Sequence, residues 1–286
     1  MWCFIISALG NTKKNKFSFV IPLVCCNFVE NYMMGRTLTI TNVSIGYGQK
    51  VIVEDISATF HPGELTCLLG RNGTGKSTLL RTLAGFQPYL SGEITIGDRF
   101  IGDFERKELA KTVGIVLTTQ TDLQDISVEE LVALGRSPYT GFFGNLSADD
   151  RKMVKKAISL VGISELKDRR LKSLSDGERQ KAMIAKTLAQ ETPVILLDEP
   201  TAFLDFQSRV ELFRLLNTLA HDEKKIILMT THDVHCALRF CEKVWLLRED
   251  SAKKARLSMH STPLSEETIT EFFGKEAPLY LETKQQ

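Results

Sequence analysis

The chain lacks a dominant charge, cysteine motifs and long apolar runs, and each lack excludes a class of protein. Its 36 basic side chains face 35 acidic ones, a net charge of +1, so no surface for nucleic acid is expected. The six cysteines form no C-x-x-C pair and no metal-ligand spacing, which favours a reduced, cytoplasmic protein. Beyond residue 34, no stretch approaches the roughly 20 apolar residues that cross a bilayer as a helix. Any membrane role is therefore expected to depend on a partner protein.

Strand and helix patterns alternate along the chain, which at 286 residues can form one large α/β domain or two smaller ones. Alternating apolar residues on either side of Gly46–Gln49 predict an antiparallel hairpin between Thr37 and Phe60. From Asp122 to Lys172 the apolar spacing is helical. One apolar face consists of Val128, Leu131, Val132 and Leu134, and another of Met153, Ala157, Ile158, Leu160 and Val161. Strand patterns lie at Leu65–Leu69, Glu93–Ile96, Val113–Leu117, Val194–Leu197, Ile226–Met229 and Val244–Leu247, and helix patterns at Thr78–Ala84 and Glu266–Phe273. Continuous apolar strands alternating with helices predict a parallel sheet covered on both faces.

A glycine-rich segment between a predicted strand and a predicted helix matches the pattern G-x-x-x-x-G-K-[ST]. Its residues are Gly70, Arg71, Asn72, Gly73, Thr74, Gly75, Lys76 and Ser77. The glycines let backbone N–H groups surround a phosphate, and the helix N-terminus adds its dipole. We expect Lys76 to bridge the β- and γ-phosphates, Ser77 to ligate Mg²⁺ and Thr78 to reach the α-phosphate. A chance glycine-rich turn is the alternative, which the strand–loop–helix context disfavours.

Two carboxylates follow the buried strand pattern Val194–Leu197. Ligands of open α/β sheets bind at the carboxyl ends of the strands. Asp198 is therefore expected in the Mg²⁺ shell, and Glu199 is expected to act as a general base towards an attacking water. The alternative is that both carboxylates cap the following helix.

The segment Leu174–Glu178 reads Leu-Ser-Asp-Gly-Glu and opens the predicted helix Asp176–Gln190. Ser175 and Glu178 have the spacing of a capping box. A helix N-terminus with a hydroxyl and glycine amides also binds anions, so Ser175 and Gly177 are candidate phosphate contacts. In isolation a well-capped helix would explain the pattern. Its position just before the acidic strand, with the phosphate loop upstream, favours a nucleotide contact.

From about Arg36 to Leu247 these motifs resemble those of ABC transporter ATPase subunits. The resemblance implies an α/β fold: a P-loop NTPase cassette with a RecA-like parallel-sheet core, an antiparallel β subdomain and an inserted α-helical subdomain at about residues 121–176. Two copies would sandwich ATP between one phosphate loop and the other copy's signature segment. Four further roles come with the resemblance. Tyr47 stacks on adenine, and Asp205 contacts the opposite subunit. Gln120 senses Mg²⁺ as one of its ligands, supports catalysis and couples to the transporter, and His232 contacts the γ-phosphate and supports catalysis.

The signature departs from the usual Leu-Ser-Gly-Gly-Gln of this family at two positions. Glu178 replaces Gln and suits the capping box, whereas Asp176 replaces Gly. Its negative charge is expected near the ATP of the partner subunit, where it would slow closure unless it points away.

Two segments, Val132–Tyr139 and Pro200–Asp205, resemble the subunits that serve iron-siderophore, haem and cobalamin importers. The function implied is ATP hydrolysis at the cytoplasmic face of the cell membrane by a peripheral homodimer, with ATP and Mg²⁺ bound. Its partners would be an integral membrane permease and, indirectly, a periplasmic-type binding protein. Tyr139, Phe142 and Phe143 either pack inside the helical subdomain or receive a cytoplasmic helix of the permease.

Two other classes of ATPase compete with a transporter subunit. A soluble ABC ATPase acting on ribosomes or DNA is disfavoured by the single cassette, the near-zero net charge and the lack of a heptad run. A P-loop kinase or GTPase would leave Ser175–Glu178 and His232 unexplained, and no N-K-x-D guanine motif is present.

The predicted boundaries are residues 1–34 for an N-terminal extension, 35–260 for the ATPase domain and 261–286 for a C-terminal tail. In the extension a basic patch precedes a short apolar run, Phe17–Val29, as in a signal peptide. Three interpretations stay open: an initiator at Met33 or Met34, a disordered or membrane-touching tail, and a true signal. The first is favoured, because the run is short and interrupted and export would separate an ATPase from ATP.

Overall fold

A single mixed sheet and the helices on its two faces form the part of the chain that the computed structural model describes, residues 37–117, 125–141, 144–249 and 255–274. The strands are β1 (Leu38–Tyr47), β2 (Lys50–Phe60), β3 (Leu65–Gly70), β4 (Ser91–Ile96), β5 (Arg99–Phe100), β6 (Val113–Val116), β7 (Val194–Leu197), β8 (Ile226–Thr231), β9 (Lys243–Glu249) and β10 (Ala255–Ser261). The α-helices are α1 (Lys76–Leu83), α2 (Arg106–Leu109), α3 (Val128–Ala133), α4 (Ala148–Leu160), α5 (Asp176–Ala189), α6 (Phe206–Asp222), α7 (Val234–Phe240) and α8 (Glu266–Phe273). Short 3₁₀ turns lie at Ile101–Asp103, Leu134–Arg136, Ser164–Leu166 and Leu171–Ser173.

The strand order is β5-β4-β1-β2-β10-β9-β3-β8-β7-β6. The strands β9, β3, β8, β7 and β6 pair in parallel, which confirms the predicted parallel sheet. The predicted hairpin is also confirmed: β1 and β2 pair antiparallel, with Tyr47 opposite Lys50 across the turn. These features agree with the fold that the resemblance implies, and the carboxyl ends of β3, β7 and β8 lie at one edge of the parallel part.

Side chains of the central strands alternate between two apolar cores, one on each face of the sheet. In β3, Leu65, Cys67 and Leu69 face one core, whereas Leu68 faces the other. The first core is covered by α5, α6 and α7, and the second by α1. The ring centroids of Phe60 and Trp245 lie 4.5 Å apart in the second core. Because both faces of these strands are buried, their sequences are continuously apolar rather than alternating.

The helical segment packs as three helices, since α3, α4 and α5 all contact one another. The apolar residues Val128, Leu131 and Val132 are buried there, as the spacing predicts. Leu134 is exposed instead, because a 3₁₀ turn follows α3 and shifts the phase of the side chains. The boundary at residue 176 stays a prediction, although the packing of α5 groups this whole helix with α3 and α4.

The chain after the last parallel strand adds two elements, one of which has no clear signal in the sequence. The helix α8 has the predicted bounds, and its Ile269 and Phe272 pack on the first core. The strand β10 pairs antiparallel with β9 and in parallel with β2, at Ala255 and Val53, and so joins the two parts of the sheet. The sequence does not predict this strand, because Ala255 is its only buried residue and its side chains therefore show no regular alternation of buried and exposed positions. The described ranges contain no helix that is both long and apolar enough to span a bilayer. The predictions for residues 1–34 concern a segment outside these ranges.

Candidate active site

The phosphate loop connects the buried strand β3 to α1 and is held open by its own backbone. Gly75 has a left-handed φ of 105°, and a Cβ at this position would lie 2.8 Å from Cγ2 of Ile52, so only glycine fits. No side chain caps the first turn of α1. Its free N–H groups and helix dipole therefore offer an anion site, as the motif predicts.

Lys76 reaches back over this loop. Its Nζ donates to the carbonyl oxygens of Gly70 at 2.9 Å and Arg71 at 3.0 Å. Burial lowers the pKa of Lys76, and the carboxylates of Glu199 and Asp198 oppose that effect. The ammonium group is thus largely desolvated, which strengthens its attraction for an anion placed in the loop.

Asp198 lies at the carboxyl end of β7, next to the start of α1. Its Oδ1 accepts hydrogen bonds from Ser77 Oγ at 3.1 Å and from Thr230 Oγ1 at 2.9 Å. Its own N–H donates to the carbonyl of Val116 at 2.8 Å, which fixes the carboxylate relative to β6. Two of the three residues predicted to bind Mg²⁺, Ser77 and Asp198, are therefore in contact. Oxygen ligands of this kind suit Mg²⁺, which binds one or two protein oxygens together with substrate phosphates.

Glu199 adopts a left-handed backbone conformation, with φ at 48°, and this turn directs its side chain across the edge of the sheet. Its Oε1 lies 2.8 Å from Nε2 of His232 and 3.8 Å from Nζ of Lys76. The structure thus brings together three side chains that are 123 and 33 residues apart in sequence (76 to 199, and 199 to 232). A strained φ of this kind in a non-glycine residue is typical of functional sites.

Threonines around these carboxylates complete the candidate site, although no motif in the sequence indicates them. Thr230 Oγ1 accepts from the N–H of Glu199 at 2.8 Å while it donates to Asp198. Thr231 and Thr201 join their hydroxyls at 3.0 Å beneath the same turn. A signal was present: two consecutive threonines end the apolar strand Ile226–Thr231, which neighbours β7 in the sheet.

Tyr47 ends β1, is about half exposed, and places its hydroxyl 3.3 Å from Oγ1 of Thr78. An exposed aromatic ring beside the phosphate loop is the arrangement that stacking on adenine requires. The predicted glutamine, Gln120, lies outside the described residues, as do Phe142 and Phe143.

The signature segment forms the N-terminus of α5 as a complete capping box. Ser175 Oγ accepts from the N–H of Glu178 at 3.3 Å, and Glu178 Oε2 accepts from the N–H of Ser175 at 2.8 Å. The backbone N–H of Ser175 holds the pKa of Glu178 below its ordinary value. Asp176 is exposed and pairs with Arg179 at 3.5 Å. The polar contacts of this segment are therefore local, and its outer surface is available to another molecule.

Asp205 opens α6. Its Oδ1 accepts from the N–H of Ser208 at 2.7 Å, and this backbone bond lowers the pKa of the Asp205 carboxyl. The side chain is exposed, so capping a helix and facing a second subunit are compatible roles for it.

A protein-family model described as ABC transporter matches residues 53–202, from β2 to the turn after Glu199. The chain belongs to the ABC transporter family. This cassette is 41% identical over 207 residues to an uncharacterised ABC transporter ATP-binding protein of Methanocaldococcus jannaschii, covering 72% of this chain and 71% of that protein. It is 36% identical over 219 residues to an iron(3+)-hydroxamate import ATP-binding protein of Bacillus subtilis, covering 77% and 81%.

Solved structures give the same result for the fold. A metal-chelate type ABC transporter in an inward-facing conformation aligns with a TM-score of 0.71 and 27% identity, over 83% of this chain and 89% of that one. A bacterial ABC transporter cassette solved as a dimer aligns with a TM-score of 0.67 and 24% identity, over 80% and 100%. As a member of this family, the chain is an ATP hydrolase and an ATP-binding subunit of an ABC transport system.

Proposed function

We propose that this ABC ATPase powers import through a separate membrane permease, with two copies of the chain forming two shared ATP sites. The observation that carries the catalytic assignment is the contact between Glu199 and His232 at 2.8 Å, beside Lys76 at 3.8 Å from the same carboxylate oxygen. A base, a polar group and a cation converge where the γ-phosphate of ATP would lie, at the edge that receives ligands in such sheets.

In the proposed reaction, the oxygen of a water forms a bond to the γ-phosphorus as the bond to the β-phosphate oxygen breaks and ADP leaves with that electron pair. Glu199 accepts the proton of the water. Lys76 and His232 donate hydrogen bonds to the phosphate oxygens, on which negative charge is spread. Ser77 and Asp198 would hold Mg²⁺, which neutralises phosphate charge when it is bound.

The other half of each site is assigned to the signature helix of a second copy. Ser175 and Gly177 carry the anion contact of that helix N-terminus, and Gln120 keeps its proposed role of sensing Mg²⁺ and coupling the site to the permease. This assignment is supported by the N-terminus of α5. There the Ser175 hydroxyl and the first-turn amides lie on an exposed surface, at the positive end of the helix dipole. Tyr47 is assigned to adenine, and Asp205 to the contact between the two copies.

We propose that the permease docks in a groove between the C-terminal end of α1 and the helical subdomain. It has a volume of about 630 Å³ and includes the exposed side chains of Phe86 and Leu134. Arg106 and Lys186 also line it, and burial lowers the pKa of Lys186. Among the described residues, no acidic side chain lines this groove. A permease helix with an apolar face and a carboxylate would therefore complement its apolar and basic side chains. Tyr139 is not part of that surface: it packs on Arg136 and donates to the carbonyl of Gln190 at 3.0 Å.

The cargo we propose is an iron chelate, haem or a cobalamin-type molecule, delivered by a periplasmic-type binding protein to the permease. The support comes from relatives: one is an iron(3+)-hydroxamate import ATP-binding protein of Bacillus subtilis, and another is a ferric enterobactin transport ATP-binding protein of Escherichia coli. The cassette would then lie on the cytoplasmic side of the membrane, where ATP is present. Purification of the tagged chain from detergent-solubilised membranes of its own host should bring down a polytopic permease.

The shared-site mechanism is tested with Glu199→Gln. The amide keeps the shape but cannot accept a proton, so we expect ATP binding to persist and hydrolysis to fall about 10²- to 10⁴-fold. The ATP-loaded variant should then accumulate as a dimer in light scattering, with two nucleotides per dimer, while Lys76→Ala should stay monomeric. Turnover near the native rate would remove Glu199 from the proposed role.

A further inference from the structure

The side chain of His232 is 47% exposed, so packing alone does not fix its imidazole ring. The contact of this ring with Oε1 of Glu199, at 2.8 Å, therefore depends on where the backbone between β8 and α7 places it. That connection consists of two residues, because Thr231 ends β8 and Val234 begins α7. The contacts of its second residue, Asp233, therefore help to decide the position of the histidine.

Asp233 makes three hydrogen bonds that fix it against its surroundings. Its N–H donates to Oγ1 of Thr231 at 3.1 Å, and its Oδ1 accepts from the N–H of Cys236 at 2.9 Å, which caps α7. Its Oδ2 accepts from Nη1 of Arg209, a residue of α6, at 3.0 Å. The Asp233 side chain is 11% exposed, and a carboxylate so far removed from water needs a compensating partner. Arg209 is the cation that supplies it.

Capping α7 does not by itself require Arg209. Asp205 and Ser175 cap α6 and α5 with ψ angles of 170° and 162°, whereas ψ is 90° at Asp233. The chain therefore enters α7 in a different direction, and the ion pair with Arg209 accompanies this conformation. Within the described residues, the buried Nε of Arg209 has no hydrogen-bond partner, which costs stability. A role in folding alone does not account for that cost.

We propose that Arg209 is a positioning residue for ATP hydrolysis, which acts through Asp233 to hold His232 against Glu199. The inference rests on the proposed function, which gives His232 and Glu199 their roles at the γ-phosphate. Loss of the ion pair frees Oδ2 of Asp233 and lets the connection between β8 and α7 shift. Since a displacement of about 1 Å can cost about 100-fold in rate, a small shift of His232 is enough to slow the reaction.

The test measures steady-state ATP hydrolysis by the full chain carrying Arg209→Met, Arg209→Lys or Asp233→Asn. Met keeps the apolar stem but removes the charge, and we expect kcat to fall about tenfold or more with the KM for ATP unchanged. Asn still caps α7 but turns an amide donor towards Arg209, so it should reproduce this loss. Lys retains the charge and should recover part of kcat. Arg214→Met, which removes an exposed arginine of the same helix, is the matched control and should leave kcat unchanged.

A second measurement separates positioning from folding. His232→Ala removes the side chain that Arg209 is proposed to position. Adding Arg209→Met to His232→Ala should therefore lower the residual single-turnover rate no further, because residues that act as a unit are not additive. All rates are measured well below the melting temperature of each variant.

The outcomes separate this inference from the proposed function. If His232→Ala hydrolyses ATP at the native rate, the proposed role of His232 is wrong and the inference falls with it. If His232→Ala is impaired but Arg209→Met and Asp233→Asn keep the native kcat, only the positioning role of Arg209 is wrong. An equal loss from Arg209→Met in the native chain and in His232→Ala would also overturn that role, because Arg209 would then affect turnover without His232.

Discussion

Arg136 is a buried cation whose removal should destabilise the fold by an amount that its contacts define. Its side chain is 6% exposed, and its Nε donates to Oδ1 of Asp150 at 2.8 Å. Nη1 donates to the carbonyl of Ala189 and to Oε2 of Glu191, both at 2.6 Å. The guanidinium also lies 3.9 Å from the ring centroid of Tyr139. One side chain thus joins the start of α4 to the end of the signature helix.

Replacing Arg136 with Met keeps the apolar volume, but it removes the guanidinium from two buried groups, the carboxylate of Asp150 and the carbonyl of Ala189. Removing one member of a buried ion pair costs about 3–5 kcal/mol, because the remaining charge is uncompensated. Glu191 is largely exposed and returns to water, so its lost pair adds about 0–1 kcal/mol. We expect the free energy of unfolding in urea to fall by about 3–6 kcal/mol in total for Arg136→Met.

Two controls make this prediction sharp. Lys152→Met removes an exposed pair with Asp149 at 3.1 Å and should cost no more than about 1 kcal/mol. Adding Asp150→Asn to Arg136→Met neutralises the stranded carboxylate while keeping its shape, and should recover part of the loss. A cost for Arg136→Met as small as that for Lys152→Met, or a double variant less stable than Arg136→Met alone, would refute the reasoning.

Two further predictions concern charge. Ser147 and Arg136 hold the pKa of Asp150 at about 2, below its ordinary 3.8. The ionised carboxylate therefore contributes stability above about pH 4, and this contribution is lost as the pH falls towards 2. Over that range the free energy of unfolding of Asp150→Asn should fall less than that of the native chain. Asp176→Gly should raise ATP turnover, because it removes a carboxylate expected near the γ-phosphate of the other copy, and the gain should shrink as salt screens the charge. Unchanged turnover at low salt would show that the Asp176 carboxylate faces away from the nucleotide.

The sequence predicts those parts of this molecule that depend on local patterns. The phosphate loop, the strand before Asp198 and the capping box of Ser175 and Glu178 are each contained in fewer than ten consecutive residues, and all three lie where the patterns place them. The proximity of Glu199 to His232 is consistent with the sequence patterns, since both residues lie just after neighbouring parallel strands.

Other features depend on contacts between distant segments and leave a weak trace in the sequence. Arg136 and Glu191 are 55 residues apart, and neither residue indicates the other in the sequence. The strand β10 forms because its backbone pairs with both β2 and β9, and its side chains do not alternate between buried and exposed positions. The outward position of Phe203 depends on a backbone angle that no propensity indicates, since phenylalanine in a turn is usually buried.

The central claim, that each ATP site is built from two copies, is tested most directly by mixing two inactive variants. Lys76→Ala damages the phosphate loop, and Ser175→Arg damages the signature, so every site of either homodimer is defective. In a mixed dimer one site combines both intact halves. We expect the equimolar mixture to hydrolyse ATP well above the rate of either variant alone, because a mixed dimer has one site in which both halves are intact. Turnover in the mixture no higher than in either variant alone would contradict it.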